Sequence, residues 1–550
     1  MALSIETFSN ITGGFSFFKA AGHPLTAQRI QDLIAGMEGP VAIYDPLGLA
    51  APFAEIHDCG ALNPVGVFVQ DIERIGEIVF GQTTQPVTDL SQSGARTVFI
   101  PGFDTERVAE HISHLLPKGA ELVTLDQVRL EDEMVTNKRR YLEPINFATN
   151  FAFFRDSEGH HTRVVSANYW AGYGAKNVWM WCCLFDEDGQ VLVEWREDLP
   201  SGVGSVVIDS REVRERFDLG AFTGQLFLHV INASGHDVVK YALDTYGDAP
   251  EVLSCTHDAN AWPSDLYAGL PAPADGEQVT LWVQNSHPCL IPAGTIGLNR
   301  MGDDTIVRLD RELPAFGSYA LNVAELLPDL AWPEQIEIRA GKHFVRPRYE
   351  IANAKTGRSR ISHPNVERVD LKADPKIAEL SNHLGKSYIL PAPVLPMAEF
   401  SSLALPTPMS TAQENLPLAL AVYNPDGQEV ARHRFGCLPR DHTDCLSLDG
   451  LVNGSLGEGY GHMELIYDFA DGGGADGWLH GLFRYQHRDS GHEAETSFGA
   501  HIFNTVLTYR NEPQSYNGPA PGLSTRLFLR LGLAPDDTMC HLIYSASTPW

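Results

Sequence analysis

The chain has 550 residues, which is too long for a single hydrophobic core and predicts roughly three or four domains. Its residues are 43% hydrophobic and 9% aromatic, so each domain can bury a core and a largely disordered chain is excluded. The formal net charge of -30 argues against nucleic acid or an anionic membrane surface as a partner, because both attract clustered Lys and Arg side chains.

The sequence contains no apparent targeting or membrane-spanning segment. No apolar run approaches the ~20 residues that a transmembrane helix needs, and Met1–Lys19 lacks the basic start and apolar stretch of a secretory signal. The eight cysteines, including the adjacent Cys182 and Cys183, show neither metal-ligand spacing nor a regular disulfide framework. We therefore expect free thiols, no membrane span and a cytoplasmic location.

The first quarter of the chain alternates short apolar runs with helical patterns. Strands are predicted at Val41–Asp45, Val65–Asp71, Thr97–Ile100 and Glu121–Leu125, and helices at Ala51–Asp58 and Thr105–Leu116. Strands that alternate with helices favour a parallel sheet with right-handed crossovers. This region is therefore predicted to be an α/β unit.

This unit has the order strand, turn, helix and strand, with Asp71 at the end of the second predicted strand, and this pattern is similar to that of a known family. Over residues 38–130 it resembles the small N-terminal Rossmann-like domain of bacterial sugar O- and N-acyltransferases. The resemblance implies a nucleotide-sugar site, as in some members. Gly48 in the first turn and Asp71 are then the candidate nucleotide-binding residues, for phosphate and for a ribose hydroxyl.

Two features keep an alternative open for this unit. The turn contains a single glycine and no G-x-G-x-x-G motif, and Asp45 would repel a pyrophosphate. Nothing downstream resembles the hexapeptide-repeat acyltransferase domain, so that activity is not expected here. The alternative is an α/β unit used for docking or stability.

From about residue 150 the pattern changes to short alternating strands with D-G turns, and three segments share a template. The first has Cys182–Gln190, Val206–Val213, Leu226–His229 and Ser234–His236; the last has Leu420–Gln428, Leu446–Val452, Leu482–Tyr485 and Ser490–His492. The middle segment is a looser copy with Leu281–Asn285 and Gly317–Glu325. This order is typical of antiparallel sandwiches.

The predicted fold class is multidomain α/β plus β, with an N-terminal Rossmann-like parallel-sheet unit followed by three antiparallel β-sandwich-type modules. The predicted boundaries are 1–135 for the α/β domain and 145–270, 275–355 and 385–550 for the modules. The Pro-rich stretch Leu390–Pro408 favours extended backbone at the approach to the last module.

The densest polar cluster lies in the last module, between Trp478 and His501. A two-residue turn at Asp489 and Ser490 would place Arg484 opposite Glu495 and His487 opposite His492. Strand alternation then puts one set of side chains on a common face: His480, Arg484, Glu495, Ser497 and His501. The candidate ligand-binding residues are Trp478, His480, Arg484, Tyr485, Glu495 and His501.

Three interpretations of this cluster remain open. Arg484 and Glu495 can form an ordinary cross-strand ion pair, with the histidines in loops or at the surface. The cluster can line a groove in which aromatic rings and polar side chains bind a saccharide. It can also supply an acid and a base, or bind a divalent metal, although about 20 Å of straight strand would separate Glu495 from His501. No cofactor is predicted.

A second polar segment, Cys255–Asp265, contains His257 beside Asp258. Adjacent residues on an extended strand point apart, and no nucleophile elbow accompanies them, so this pair alone does not indicate a catalytic site.

Three functions follow, in this order. The first is a binding or scaffold protein that recognises a saccharide or nucleotide sugar in a cell-surface polysaccharide or glycolipid pathway. The second is an enzyme acting on a saccharide or other polar small molecule through the His, Glu and Arg side chains of the last module. The third is a structural repeat protein that assembles with itself, as a homo-oligomer.

Overall fold

The computed structural model describes residues 3, 14–249, 251–258, 263–379, 390–452, 454–457, 459–501 and 539–543. These residues form one α/β unit and three β modules, with strands in six sheets. Within this part of the chain, no helix is long and apolar enough to cross a membrane. All eight cysteines lie within it, and each is a free thiol.

The α/β unit is a mixed sheet with helices on both faces. Its elements are α1 (Gly14–Ala21), α2 (Pro24–Ala35), β1 (Val41–Tyr44), α3 (Ala50–Ile56), β2 (Pro64–Val69), β3 (Ile78–Val79), β4 (Gln82–Pro86), β5 (Thr97–Ile100), α4 (Glu106–Ile112) and β6 (Glu121–Thr124). The strand order is β3-β4-β2-β1-β5-β6, and every pair except β3 with β4 is parallel. Helices α1 to α3 cover one face and α4 the other. The predicted alternation of strands and helices is confirmed.

The second strand differs from the prediction at its end. Strand β2 stops at Val69, and Asp71 lies beyond it as the N-cap of a short 3-10 turn, Ile72–Arg74. The hairpin of β3 and β4 was not predicted, and it extends the sheet by adding β4 parallel to β2.

Each of the three modules contains eight strands in one common order. Module 1 comprises β7 (Ala148–Ser157), β8 (His160–Ala167), β9 (Trp179–Asp186), β10 (Val191–Asp198), β11 (Ser205–Asp209), α5 (Ser210–Arg216), β12 (Phe222–Ile231), β13 (Tyr241–Gly247) and β14 (Leu253–Asp258).

Module 2 comprises β15 (Leu266–Pro271), β16 (Glu277–Gln284), β17 (Gly297–Arg300), β18 (Val307–Arg308), β19 (Ser318–Asn322), α6 (Val323–Leu326), β20 (Gln335–Arg339), β21 (Arg348–Asn353) and β22 (Arg358–Ser362), with an added strand β23 (Asn365–Val366). After α7 (Lys376–Glu379), module 3 comprises β24 (Leu390–Val394), β25 (Phe400–Pro406), β26 (Leu416–Tyr423), β27 (Glu429–Leu438), β28 (Leu446–Ser447), α8 (Leu448–Val452), β29 (Gly461–Tyr467), β30 (Trp478–His487) and β31 (Glu493–His501).

We name the eight strands of each module A to H along the chain, so that β7, β15 and β24 are the A strands. In every module the sheets have the orders D-C-F-A and E-B-G-H, and a short helix follows strand E. A hydrophobic core fills each module between these sheets. In module 1 the A and B strands also pair at Asp156 and His161, which joins the two sheets into one of eight strands. The predicted repeat is therefore present as a repeated topology.

The strand order corrects half of the sequence alignment between modules. The segments Cys182–Gln190 and Leu420–Gln428 are both C–D hairpins, as the alignment requires. In contrast, Leu226–His229 lies on strand F and Leu482–Tyr485 on strand G. The sequence comparison therefore matched two segments that are not equivalent strands. The middle segment Leu281–Asn285 begins on strand B rather than C.

The C–D hairpins of modules 1 and 3 close with the same turn. Asp186 and Asn424 each accept hydrogen bonds from the backbone N–H groups two and four residues later. Gly189 and Gly427 then take left-handed backbone, with φ of 77° and 76°, where a side chain would be strained. The shared D-G and N-x-D-G signals therefore specify one local structure.

The three modules meet through their H strands, β14, β22 and β31. The Ser254 hydroxyl donates to the carbonyl of Ile361 at 2.8 Å, which joins modules 1 and 2. The Ser362 hydroxyl reaches the carbonyl of Glu495, which joins modules 2 and 3. His492 lies 2.8 Å from the carbonyl of Leu253, which joins modules 3 and 1. Each module thus contacts both of the others at or beside its H strand.

The α/β unit packs against module 1. Lys19 donates to the carbonyls of Phe147 and Asp237 at 2.8 and 3.0 Å. The ring of His23 lies 3.1 Å from a ring nitrogen of His229 and stacks on Trp181. These buried contacts, made by α1 and the residue before α2, fix the unit on the outer face of the D-C-F-A sheet.

Candidate functional site

The polar cluster of module 3 lies on the hairpin of β30 and β31. Arg484 pairs with Glu495, as predicted, and the backbone of His487 hydrogen-bonds to that of His492 at 2.8 Å. The predicted two-residue turn at Asp489 and Ser490 is wrong in length, because four residues, Arg488–Gly491, connect His487 to His492. The N–H of Gly491 donates to the carbonyl of His487 at 2.8 Å, and Gly491 has left-handed backbone with φ of 66°. The register is nevertheless the predicted one, since this loop also places His487 opposite His492.

The candidate residues divide between the two faces of this hairpin. Arg484 and Glu495 point from the sheet towards module 2, and His480 lies on the same face and is buried. Tyr485 points the other way, into the core of module 3, where its hydroxyl donates to the carbonyl of Pro393 at 2.9 Å. Tyr485 therefore does not join the other candidates in one groove. The backbone of His501 pairs with Trp478, and the side chain of His501 lies outside the described residues.

Glu495 is the centre of a buried network that joins modules 2 and 3. The Tyr349 hydroxyl donates to Glu495 Oε1 at 2.6 Å. The Nε groups of Arg484 and Arg360 donate to Oε2 at 2.7 and 3.1 Å. Burial would raise the pKa of Glu495, but these two guanidinium groups lower it to about 2. The carboxylate is therefore ionised and wholly enclosed by protein.

The same network extends along both modules. Arg360 also pairs with Glu277 and Glu493, each at 2.8 Å. The guanidinium of Arg484 lies 3.8 Å from the centre of the Trp332 ring, on module 2. These contacts favour the structural interpretation, an ion pair, over a groove open to solvent. Ligand binding by these residues stays a prediction.

The nucleotide-binding candidates make contacts within the α/β unit. Gly48 has φ of 76°, and a Cβ there would lie 3.3 Å from a guanidinium nitrogen of Arg74. Arg74 pairs with Asp45 at 3.1 Å, which balances the charge that was expected to repel a pyrophosphate. The Asp71 carboxylate accepts a hydrogen bond from the N–H of Glu73. Both candidates thus have a structural role, and nucleotide binding stays a prediction.

A crevice lies at the carboxyl ends of β1 and β5, where the strand order reverses. Such a position is the usual ligand site of open α/β sheets, but here the crevice has a volume of only about 20 Å³. Asp45 accepts from the N–H of Leu49 at 2.8 Å, and Asp126 accepts from those of Asp104 and Thr105 at 2.8 and 2.9 Å. The chain's own carboxylates therefore occupy backbone donors that a phosphate would use.

A larger polar cleft, of about 580 Å³, opens between modules 2 and 3. Its charged lining consists of Arg300, Asp303, Asp304, Glu334, Arg440 and Asp441. The first four belong to module 2, in the turn after β17 and beside β20, and the last two follow β27 in module 3. Sequence reasoning missed this cleft because three separate segments form it, and the polar turn Gly302–Thr305 was its only local signal.

The base of the cleft is a buried ion-pair group. Arg440 from module 3 donates to the carboxylates of Glu337 and Glu367, both on module 2. Burial raises the pKa of Glu367 to about 7, against the opposing effect of Arg440. At the rim, a Cβ on Gly302 would lie 3.0 Å from the backbone nitrogen of Asp441, so the two modules approach closely there.

Among the described residues, no group of three or more His, Cys, Asp or Glu side chains has the arrangement of a metal site. No protein-family model and no curated protein matches the sequence.

Among the solved structures to which the chain is similar, two examples show how weak the similarity is. The first is the M60 catalytic domain with the CBM51-1 and CBM51-2 domains of Clostridium perfringens ZmpB, at 11% identity and a TM-score of 0.12, covering 59% of this chain and 32% of that one. The chain thus spans about a third of that protein's length. The second is the CupB6 tip adhesin of Pseudomonas aeruginosa, at 11% identity and a TM-score of 0.11, covering 64% and 89%. Scores this low support no conclusion about fold or function.

Proposed function

We propose that this protein is a binding protein that takes a polar, hydroxyl-rich ligand such as a saccharide in the cleft between modules 2 and 3. The observation that carries this proposal is the cleft itself, with a volume of about 580 Å³ and charged side chains of both signs. A volume of this order suits a small-molecule ligand.

The lining matches the chemistry of hydroxyl groups. A hydroxyl both donates and accepts hydrogen bonds, so it is best satisfied where acceptors and donors alternate. The exposed carboxylates of Asp303, Asp304 and Asp441 can accept, and the guanidinium of Arg440 can donate. Hydrogen bonds to charged groups contribute about 1.5–3 kcal/mol each. A neutral polyol therefore fits this lining better than an apolar molecule does.

The walls of the cleft are held in place before a ligand arrives. Arg440 crosses from module 3 to two carboxylates of module 2, and the Glu495 network joins the same two modules at a second place. A cleft whose walls are fixed loses little conformational freedom on binding, which favours affinity. The buried cluster first considered as the ligand site thus supports the cleft rather than lining it.

The α/β unit is proposed to dock and stabilise rather than to bind a nucleotide sugar. Its contacts with module 1 through Lys19 and His23 are buried. The carboxylates of Asp45 and Asp126 meet the backbone donors at its crevice. A saccharide without a nucleotide is therefore the ligand class that we favour.

The test is isothermal titration calorimetry of the full chain against a panel of neutral oligosaccharides. We expect at least one to bind, and we expect the Asp304→Ala, Asp441→Ala double variant to bind it at least tenfold more weakly, since two hydrogen-bonding groups are lost. The matched control is Asp310→Ala, an exposed carboxylate of module 2 outside the cleft lining. Equal binding by wild type and double variant, or no binding across the panel, would overturn the proposal.

A further inference from the structure

A second polar cluster, separate from the cleft, lies where the three modules meet. It combines the end of strand H of module 1, the start of strand G and the end of strand H of module 2, and strand G of module 3. We name it the basic junction and define it by His257, Asp258, Arg346, Arg348, His363 and His480.

Several contacts hold these side chains together. Arg348 is 1% exposed and donates to Asp258 Oδ2 at 2.9 Å and to the Tyr241 hydroxyl at 3.2 Å. The rings of His257 and His363 pack edge to face, with centroids 4.7 Å apart. Arg348 also donates to the backbone carbonyl of Arg346 at 3.2 Å. Burial and, to a smaller extent, the positive charge of Arg346 lower the pKa of His363 and of His480. Modules 1, 2 and 3 thus each contribute to one compact group.

The junction contains hydrogen-bond donors that no described residue satisfies. His480 is 2% exposed, and neither of its ring nitrogens has a partner. A neutral imidazole always carries one N–H, so at least one donor of His480 is left over. Nε2 of His363 and Nε of Arg346 are buried and are also without partners among the described residues. Buried polar groups in native proteins are normally hydrogen-bonded, to water or an ion if not to protein.

The charges in the junction do not balance. Two guanidinium groups are present, and among the described residues Asp258 is the only carboxylate paired with either of them. Burial lowers the pKa of Arg346 and lowers that of His480 to about 3, so the histidine is neutral while the arginines supply the positive charge. An uncompensated buried charge is costly, and a bound ion of opposite sign removes that cost.

We propose that the basic junction binds one small oxyanion, such as phosphate or sulfate, through the guanidinium of Arg346 and ring N–H groups of His363 and His480. An oxyanion offers only acceptors and a negative charge, and these are what the junction lacks. The planar fork of arginine suits tetrahedral oxyanions, whereas the neighbouring arginines repel a metal cation. The ion would link all three modules and so stabilise their assembly.

The first experiment is equilibrium dialysis of the full chain against radiolabelled inorganic phosphate. We expect about one phosphate per chain, and at least a tenfold loss of affinity in Arg346→Met, which keeps the aliphatic stem and removes the charge. The matched control is Arg488→Met, since Arg488 is exposed and pairs with Asp449 elsewhere in module 3. No bound phosphate at millimolar concentration, or unchanged binding in Arg346→Met, would overturn the site.

The second experiment keeps the proposal testable if Arg346→Met does not fold. His480→Phe preserves a buried ring of similar size and removes both ring nitrogens, so it should fold and bind phosphate more weakly. Sulfate should displace the radiolabelled phosphate, because it is also a tetrahedral oxyanion and accepts hydrogen bonds from the same donors. Glucose 6-phosphate should not displace the phosphate, because an enclosed site has no room for the attached sugar. Displacement by the sugar phosphate, or full binding by His480→Phe, would contradict a buried site for a free oxyanion.

Discussion

Modules 1 and 3 have the same strand order and close their C–D hairpins with the same turn, yet the two turns have different surroundings. In module 1 the turn packs on module 2, where the N–H of Ser318 donates to the carbonyl of Glu187 at 2.9 Å. A Cβ on Gly189 would lie 1.9 Å from the carbonyl oxygen of Ala315. At the matching Gly427 of module 3, no atom of the described residues lies within 4 Å of that position.

This difference separates the structure that a module's own sequence specifies from the contacts that depend on a neighbouring module. Local sequence specifies the turn in both modules, because the Asp or Asn side chain and the glycine act within five residues. What the turn touches depends on the neighbouring module. In module 1 the C–D hairpin contacts module 2 in addition to strand H. In module 3 the contact with module 2 uses the G–H hairpin, which carries Arg484 and Glu495. The predictions below test whether these two hairpins really have such unequal roles.

The largest effect is expected for Glu495→Gln, in the docked hairpin of module 3. Arg360 keeps its pairs with Glu277 and Glu493, but the substitution leaves Arg484 buried without its carboxylate partner, which typically costs about 3–5 kcal/mol. The control is Glu429→Gln, which removes an ion pair with Arg432 of the same 2.7 Å length but exposed to solvent. Exposed pairs contribute about 0–1 kcal/mol. Denaturant unfolding of the three proteins measures the free energies, and equal losses would show that module 3 does not dock through this hairpin.

The same carboxylate predicts an acid-dependent loss of stability. The pKa of Glu495 is about 2 in the folded protein, below its ordinary value of 4.5. A carboxyl group whose pKa is lowered by folding stabilises the protein fully above the ordinary value, and this stabilisation disappears as the pH falls towards the lowered one. The difference in stability between wild type and Glu495→Gln should therefore be constant above about pH 5 and shrink between pH 4.5 and pH 2. A difference that does not change with pH would contradict this.

A smaller effect is expected for Gly189→Ala compared with Gly427→Ala. Both substitutions place a side chain on left-handed backbone, which costs about 1–2 kcal/mol. Gly189→Ala must in addition push the turn away from Ala315, and overpacking of this kind adds about 1–3 kcal/mol. Thermal unfolding should therefore show a clearly lower Tm for Gly189→Ala than for Gly427→Ala. Equal shifts would mean that the module 1 hairpin is not held against module 2.

Much of the α/β unit could be predicted from the sequence, for a physical reason. Strands of a parallel sheet are buried on both faces, so they form continuous apolar runs such as Val41–Tyr44 and Thr97–Ile100. The hairpin of β3 and β4 gave no such signal, because β3 is a two-residue edge strand and most of β4 is polar. The repeat was found through its turns. Its alignment was wrong where Leu-Phe occurs on strand F of module 1 and on strand G of module 3, each followed by a loop with Ser-Gly-His.

The candidate site shows the same limit. The pairing of Arg484 with Glu495 follows from strand periodicity and a short turn, both of which are local. The partners Tyr349 and Arg360 lie 146 and 135 residues away from Glu495, and no local pattern specifies contacts of that range. For this reason the sequence identified the correct face of the hairpin without indicating that another module covers it.

The smallest effect is expected where the two compared modules touch directly. The His492 ring nitrogen lies 2.8 Å from the carbonyl of Leu253, at the half-exposed edge of the junction. The other ring nitrogen, Nδ1, accepts a longer hydrogen bond of 3.3 Å from Arg358 of module 2. Hydrogen bonds of this kind contribute about 0.5–1.5 kcal/mol each, and at this half-exposed position we expect His492→Ala to destabilise by about 1 kcal/mol in total. His114→Ala, at an exposed position of the α/β unit, is the control and should change stability by less than about 0.5 kcal/mol. If His492→Ala costs as much as Glu495→Gln, the contact between modules 3 and 1, rather than that between modules 3 and 2, would be the one that holds the last module in place.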